Sequence, residues 1–308
     1  MKQITASVFV EDRFSVPPDY RGSNPAAVVT PEGIVQVDTP YFPVDAVKWR
    51  EEMARLGEIR YIVNSHHHID HTTGNYFLPG IVVSHEGVKE SMEAPFEVVM
   101  GTVGKRVQRA IQSGEGMVGY TRQIIGEKNP ESLPFFTGYS FRKPTVTFTD
   151  KLNLYVGDAR FELMHLPGHT AAHIGVYAPR EKVFFAGDNF TYHSQPSFAN
   201  CLPLEWVDSL RRVEALDIDL VVPGHGAVCR KEDVRDFRLF IQECVDLVKD
   251  ALKRGLGREE AAAAIAFDKL HPGAVEGGLP VHLGPVMQRF NVYRLYDMLS
   301  GTGAGDKT

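Results

Sequence analysis

Cysteine is scarce: Cys201, Cys229 and Cys244 are the three in 308 residues, an odd number without framework spacing. That argues against a disulfide scaffold and fits a reducing compartment. Long hydrophobic runs are missing too. No stretch approaches the roughly 18 uninterrupted apolar residues of a membrane span. The opening MKQITASVFVEDRF alternates and soon meets charge, unlike the apolar core of a leader. Positive charge is in deficit, with a formal net charge of −6 and a pI near 6.1, so no basic footprint for nucleic acid or an anionic membrane is present. Low-complexity linkers and clear internal repeats are also absent. What remains, 43% apolar and 23% charged residues, is the composition of a globular protein. The expectation is a cytoplasmic enzyme or binding protein whose partner is a small molecule.

The pattern divides the chain into two β-rich halves, a helical insertion between them and a helical tail. AAVVTPEGIVQVD (26–38) predicts two strands around the turn signal Pro31-Glu32-Gly33. A helix follows over 44–57, then strands at RYIVNS (60–65) and GIVVS (80–84). From Glu90 to Arg142 no strand is evident and the pattern is irregularly helical. Strands resume at 145–157, 159–166, 173–178, 182–187 and 219–224, with turn residues between them. In the tail, Val234, Phe237, Phe240, Ile241, Cys244, Val245, Val248, Ala251 and Leu252 form a 3.6-residue stripe. Further helices are predicted over 258–267 and 284–301.

Four of the twelve histidines fall within HHHIDH, residues 66–71. On extended backbone, side chains at i and i+2 share a side. His66 and His68 can then grip one ion while His67 points away. Asp70 and His71 come as the chain turns and can face a neighbouring position. Three later strand-end loops each offer one ligand-type residue beside glycine: HLPGHT with His169, FFAGDN with Asp188 and VVPGHG with His225.

The set His66-x-His68-x-Asp70-His71, His169, Asp188 and His225 resembles the dinuclear pattern of the metallo-β-lactamase-fold superfamily. That group includes glyoxalase II, lactonases, β-lactamases, sulfatases and RNase Z. The resemblance spans about residues 20–230 and implies an α/β fold, a four-layer αββα sandwich with the metals at one edge of two facing sheets. It puts His66, His68 and His169 on a first metal and Asp70, His71 and His225 on a second, with Asp188 bridging. Imidazole and carboxylate suit two Zn²⁺, with Fe or Mn also possible. A bridging hydroxide would then attack a small-molecule ester, thioester, lactone or lactam, and Asp70 would orient it or relay a proton. Residues 1–230 would form the metallo-β-lactamase-like domain, with the insertion (90–142) and the extension 231–308 packed on it. The insertion and tail would roof the site or make a homodimer interface. Competing readings are an iron-dependent oxidoreductase of the persulfide dioxygenase kind and a nuclease. The flavodiiron pattern has an acid where His67 stands.

Other residues have lesser expected roles. Asp38, in VQVDTP, should orient a ligand from behind. Tyr192 and His193 follow Asp188 and are candidate substrate contacts. His173 should pack beside the ligands, and His85, His165 and Cys229 should be structural. Met92, Met100 and Met117 could line an adaptable pocket or simply pack.

Overall fold

The structure, a computed structural model, describes residues 1–14, 21–95, 105–193, 196–267 and 284–301. Two sheets face each other. The first is seven-stranded, in the order β1 (Lys2–Gln3), β2 (Val8–Val10), β3 (Ala26–Thr30), β4 (Gly33–Val37), β5 (Ile59–Val63), β6 (Ile81–His85) and β7 (Val146–Phe148). It is antiparallel to β4 and parallel beyond. The second is six-stranded: β13 (Cys229–Arg230), β12 (Leu220–His225), β11 (Val183–Thr191), β10 (Ile174–Ala178), β9 (Ala159–His165) and β8 (Lys151–Val156). Only its β11–β12 pair is parallel.

Strand alternation explains the layers. Val35, Val37, Val63 and Val83 face inward and meet Phe161, Leu163, Val176, Phe185 and Val222 of the second sheet. Their neighbours Ile34, Ile62 and Val82 point outward and pack on Trp49 and Met53 of helix α1 (Pro43–Ala54). On the far side, Phe184 and Val221 pack outward against more helices. Central strands are thus apolar on both faces, as expected where helices cover a sheet. The architecture is the mixed α/β sandwich with helices outside both sheets.

After β5 come α2 (Ile69–Thr72) and a 3-10 turn (Thr73–Tyr76), then α3 (Glu86–Glu93) after β6. The insertion is helical, with α4 (Lys105–Ser113), α5 (Gly116–Lys128) and a 3-10 segment (Pro130–Phe136). Ile125, Phe136 and Tyr139 join α1 on the outer face of the first sheet. Its described second half therefore lies outside the two sheets, as expected, and adds to an outer layer. Met117 packs with Ala110, Ile111 and Tyr120, Met92 is half-buried, and Met100 lies outside the described residues.

One helix has no counterpart in the sequence reading: α6 (Pro203–Glu214), which buries Trp206, Val207, Leu210 and Val213. The tail stripe becomes α7 (Lys231–Lys253), and Val234, Phe237, Phe240, Ile241, Cys244, Val245 and Val248 are all buried. With α8 (Arg258–Ala264) and α9 (Gly284–Ser300) it shares one hydrophobic cluster with α6 and the outer face of the second sheet. Among the described residues, no helix is long and apolar enough to cross a membrane.

Phe237 is 1% exposed, and its ring lies 5.1 Å from that of Phe190 and 6.1 Å from that of Trp206. Phe237→Ala should cost about 3–5 kcal/mol. Denaturant unfolding followed by circular dichroism should show one transition moved to lower denaturant. A separate early transition would mean that the tail melts independently.

Candidate metal centre

The candidate residues lie at the C-terminal ends of strands. Asp38 follows β4, residues 64–72 follow β5, His169 follows β9, and Asp188 and His225 stand near the ends of β11 and β12. Carboxyl ends of parallel strands are where α/β sheets commonly bind ligands, because the chain there leaves the ladder and frees polar groups.

After β5 the chain does not run on as a strand. Residues 65–67 bend, and His68 (φ −62°, ψ 146°) caps the single turn of α2. His66 and His68 do meet, but through this bend and not through the expected i, i+2 alternation. Ser65 fixes the bend. Its N–H donates to Asp38 Oδ1 and its hydroxyl to Asp38 Oδ2, both at 2.7 Å. Its carbonyl accepts from Ile174 N of the other sheet at 2.8 Å.

Two groups result: His66, His68, His169 and Asp188; and Asp70, His71 and His225. Within each, potential ligand atoms lie within 4.8 Å of one another. Asp188 divides its carboxylate between them. Oδ1 is 3.1 Å from His71 Nε2 and 3.3 Å from His225 Nε2. Oδ2 is 3.5 Å from His169 Nε2 and 3.9 Å from His66 Nε2. Asp70 Oδ2 lies 3.3 Å from His225 Nε2.

This donor set fits metal ions. His66 Nε2, His71 Nε2 and Asp188 Oδ1 are buried yet make no hydrogen bond, although burying such atoms unsatisfied is costly. His68 Nδ1 and His169 Nε2 stand 3.1 Å apart, as two nitrogens aimed at one cation would.

The two groups differ electrostatically. Burial, then the neighbouring His71 and His68, push His66 well below the usual imidazole range. Burial lowers His68 and takes His169 to about 3. In the second group burial also opposes charge, but nearby carboxylates outweigh it. Asp188, Asp70 and Asp38 raise His71, and Asp188 with Asp70 lifts His225 to about 9. Burial works against the anions as well, yet these histidines hold Asp70 and Asp188 below the ordinary carboxylate range. Cations binding there would displace the imidazolium protons.

Polar side chains hold the frame. Asp38, with φ 51°, accepts from His71 Nδ1 at 2.8 Å. That fixes the tautomer leaving Nε2 free to ligate, the role expected for Asp38. Thr39 Oγ1 and Asn64 Nδ2 donate to the His71 carbonyl. Two supports were not foreseen. Asn24 donates to the carbonyls of Pro223 and Gly226, on either side of the His225 loop. Asn189 ties β11 to the loop of His169, whose N–H it accepts at 2.8 Å. Glycines permit the close approaches. At Gly187 (φ +50°) a Cβ would sit 2.5 Å from Ser65, and at Gly224 one would sit 2.0 Å from Asp188 Oδ1.

The profile of the Metallo-beta-lactamase superfamily matches residues 28–225. The chain belongs to this superfamily. The 2,4-dinitroanisole O-demethylase subunit alpha of Nocardioides sp. is 26% identical over 247 residues, 76% of this chain and 62% of that protein. The linear primary-alkylsulfatase of Pseudomonas sp. is 25% identical over 251 residues, 75% of this chain and 47% of that protein. The aligned region thus spans about half to three-fifths of these relatives' lengths. The metallo-beta-lactamase from Pontibacter korlensis shares the fold, with TM-score 0.54 and 19% identity over 78% of this chain and 97% of that one.

Members of the superfamily use metal ions, and the remaining sequence candidates stand outside both groups. His67 is half-buried with no partner for Nδ1, and burial takes it to about 3. His173 is buried and stacks on His66 at 5.2 Å. His85 and His165 stack on each other at 4.2 Å, and each Nε2 meets a backbone carbonyl. Cys229 is buried, as expected. Tyr192 donates its N–H to the His225 carbonyl, while its ring packs on the outer core of the second sheet. His193, at φ 53°, stands edge-on to that ring at 4.0 Å.

Gly187→Ala should cost about 1–3 kcal/mol from its left-handed backbone alone and lower bound metal, measured by thermal melts and elemental analysis. The metal-free chain should be most stable near pH ~6.5, the ordinary histidine value. As pH falls below that, the depressed His66, His68 and His169 must be protonated against burial, and stability drops. As pH rises through about 9, His225 loses the proton that pairs it with Asp188 and Asp70, and stability drops again. Denaturant titrations of chelator-treated protein from pH 5 to 10 would show the maximum; a flat profile would contradict this balance.

Proposed function

We propose that the chain is a dinuclear metal-dependent hydrolase, with zinc in both positions, acting on an ester, thioester, lactone or lactam of a small molecule. The observation carrying this is the Asp188 carboxylate, whose two oxygens face separate groups of ring nitrogens. His66, His68 and His169 would hold one ion as neutral imidazoles. Asp70, His71 and His225 would hold the other, and Asp188 would touch both. Nitrogen and oxygen donors without thiolate suit Zn²⁺, with Fe or Mn compatible. Bound there, such ions supply a nucleophile from water near neutral pH and polarise the electrophile.

The chain's own groups do the rest. Asp70, kept ionised by His71 and His225 against its burial, accepts a hydrogen bond from the attacking water and orients it. Asp38 steadies His71. His193, in a strained conformation beside the strand carrying Asp188, is the candidate substrate contact. A cytoplasmic setting belongs to the same proposal, supported by three unpaired buried cysteines.

A second substrate class is favoured by the two relatives aligned over three quarters of the chain, an O-demethylase and an alkylsulfatase by name. Aryl ethers and alkyl sulfate esters therefore belong in the same assay panel.

Protein purified without chelator should carry about two transition-metal ions per chain. A stable value near one with full activity would overturn the two-ion reading. Asp70→Asn should lower kcat about 10²–10⁴-fold, whereas His67→Ala should leave it within a few-fold. Equal losses in both would show that the bend after β5 aims its side chains otherwise.

A further inference from the structure

Asn189 bears no charge and belongs to neither group, yet it is 4% exposed and directly follows Asp188. The β11–β12 register shifts between Gly187 and Thr191, which turns the Asn189 backbone away from the ladder. Its N–H donates to His173 Nε2 at 3.2 Å and its carbonyl accepts from Trp206 Nε1 at 2.9 Å. The side chain is equally committed. Oδ1 accepts from His169 N at 2.8 Å, and Nδ2 donates to the Leu166 carbonyl at 2.5 Å. His173 in turn stacks on His66.

Asn189 therefore joins Asp188, on its own strand, to His169 across the sheet and, through His173, to His66. The Asn189 hydrogen bonds run to His169, His173, Leu166 and Trp206, on the side of the first group. The second group has different supports. Asn24 spans the His225 loop through Pro223 and Gly226, and its N–H donates to the Gly224 carbonyl at 2.9 Å.

We infer that Asn189 is a positioning residue for the first ion, through His169 and His173, while Asn24 does the same for the second ion through His225. The inference rests on the two-ion reading above and adds a division of labour to it. Side chains that orient ligands from behind are typically worth about 10–100-fold in metal affinity.

Calorimetric titration of chelator-treated protein with Zn²⁺ tests this. His169→Ala and His225→Ala assign the two binding steps by which one each removes. Asn189→Ala should weaken the His169-dependent step about 10–100-fold and leave the other within about 3-fold. Asn24→Ala should do the reverse. A merely structural role would weaken both steps together, so equal losses in either variant overturn the inference. If Asn189→Ala does not fold, Trp206→Phe removes the donor to the Asn189 carbonyl and trims the buried ring beside His169; it should weaken the same first step selectively, and an equal loss at both steps or one confined to the second contradicts the assignment. Wild-type protein that binds a single ion overturns the two-ion reading itself and this inference with it, a result distinguishable from equal losses at two intact steps.

Discussion

The Asp188 carboxylate can face two groups of histidines only because β11 leaves its ladder beside it and because glycine stands at two neighbouring positions. At Gly187 the left-handed backbone turns the strand, and a side chain there would strike Ser65. At Gly224, on the parallel partner, a Cβ would occupy the place of Asp188 Oδ1. Ser65 cannot retreat, since Asp38 holds its N–H and hydroxyl and Ile174 its carbonyl. The break in β11 therefore fixes the relative placement of groups from both sheets. The rest of the site adjusts to it.

Concentrating so many ionisable groups at 7% exposure or less, as for His66, His71, His169 and Asp188, is unfavourable without compensation. The chain meets that in two ways. The histidines of the first group remain neutral, so their burial costs only unsatisfied ring nitrogens. The second pairs imidazolium with carboxylate, and such buried pairs roughly offset their own desolvation. Neither arrangement stabilises the fold much, so stability must come from the apolar clusters on both faces of both sheets. The deep core shared by α6, α7 and the second sheet is consistent with that demand.

Much of this was legible in the sequence because the signals were local. Strand alternation around Val35 and Val37, the stripe of α7 and the strand-end histidines each sit within a few residues. All seven candidate ligand positions lie in one of the two groups. What escaped notice depends on contacts distant in the chain. Asn24 acts on a loop some two hundred residues away, and nothing in SNP marks it. Asn189 reads as a loop residue after a motif aspartate, and its value emerges only when the LPGHT loop folds beside it. The α6 helix was different, for Trp206, Val207, Leu210 and Val213 follow helical spacing after Pro203 and could have been seen. The expected extended backbone at 66–68 failed because strand propensity says nothing of where Asp38 will pull Ser65.

The outer helices take on a further meaning from Trp206. Its ring lies in the cluster that α7 and the tail complete, while its Nε1–H holds the Asn189 carbonyl and its edge faces His169 at 5.8 Å. A side chain on Gly168 would collide with it at 2.7 Å. The loop bearing His169 is thus seated on α6, and α6 is seated on α7. Close-packed interiors transmit displacement because they contain few voids to absorb it. A change deep in the tail core would therefore reach His169 and Asn189 through one rigid ring, although among the described residues no tail residue lies in either group. The C-terminal helices thus support from beneath, through Trp206, the loop on which His169 stands.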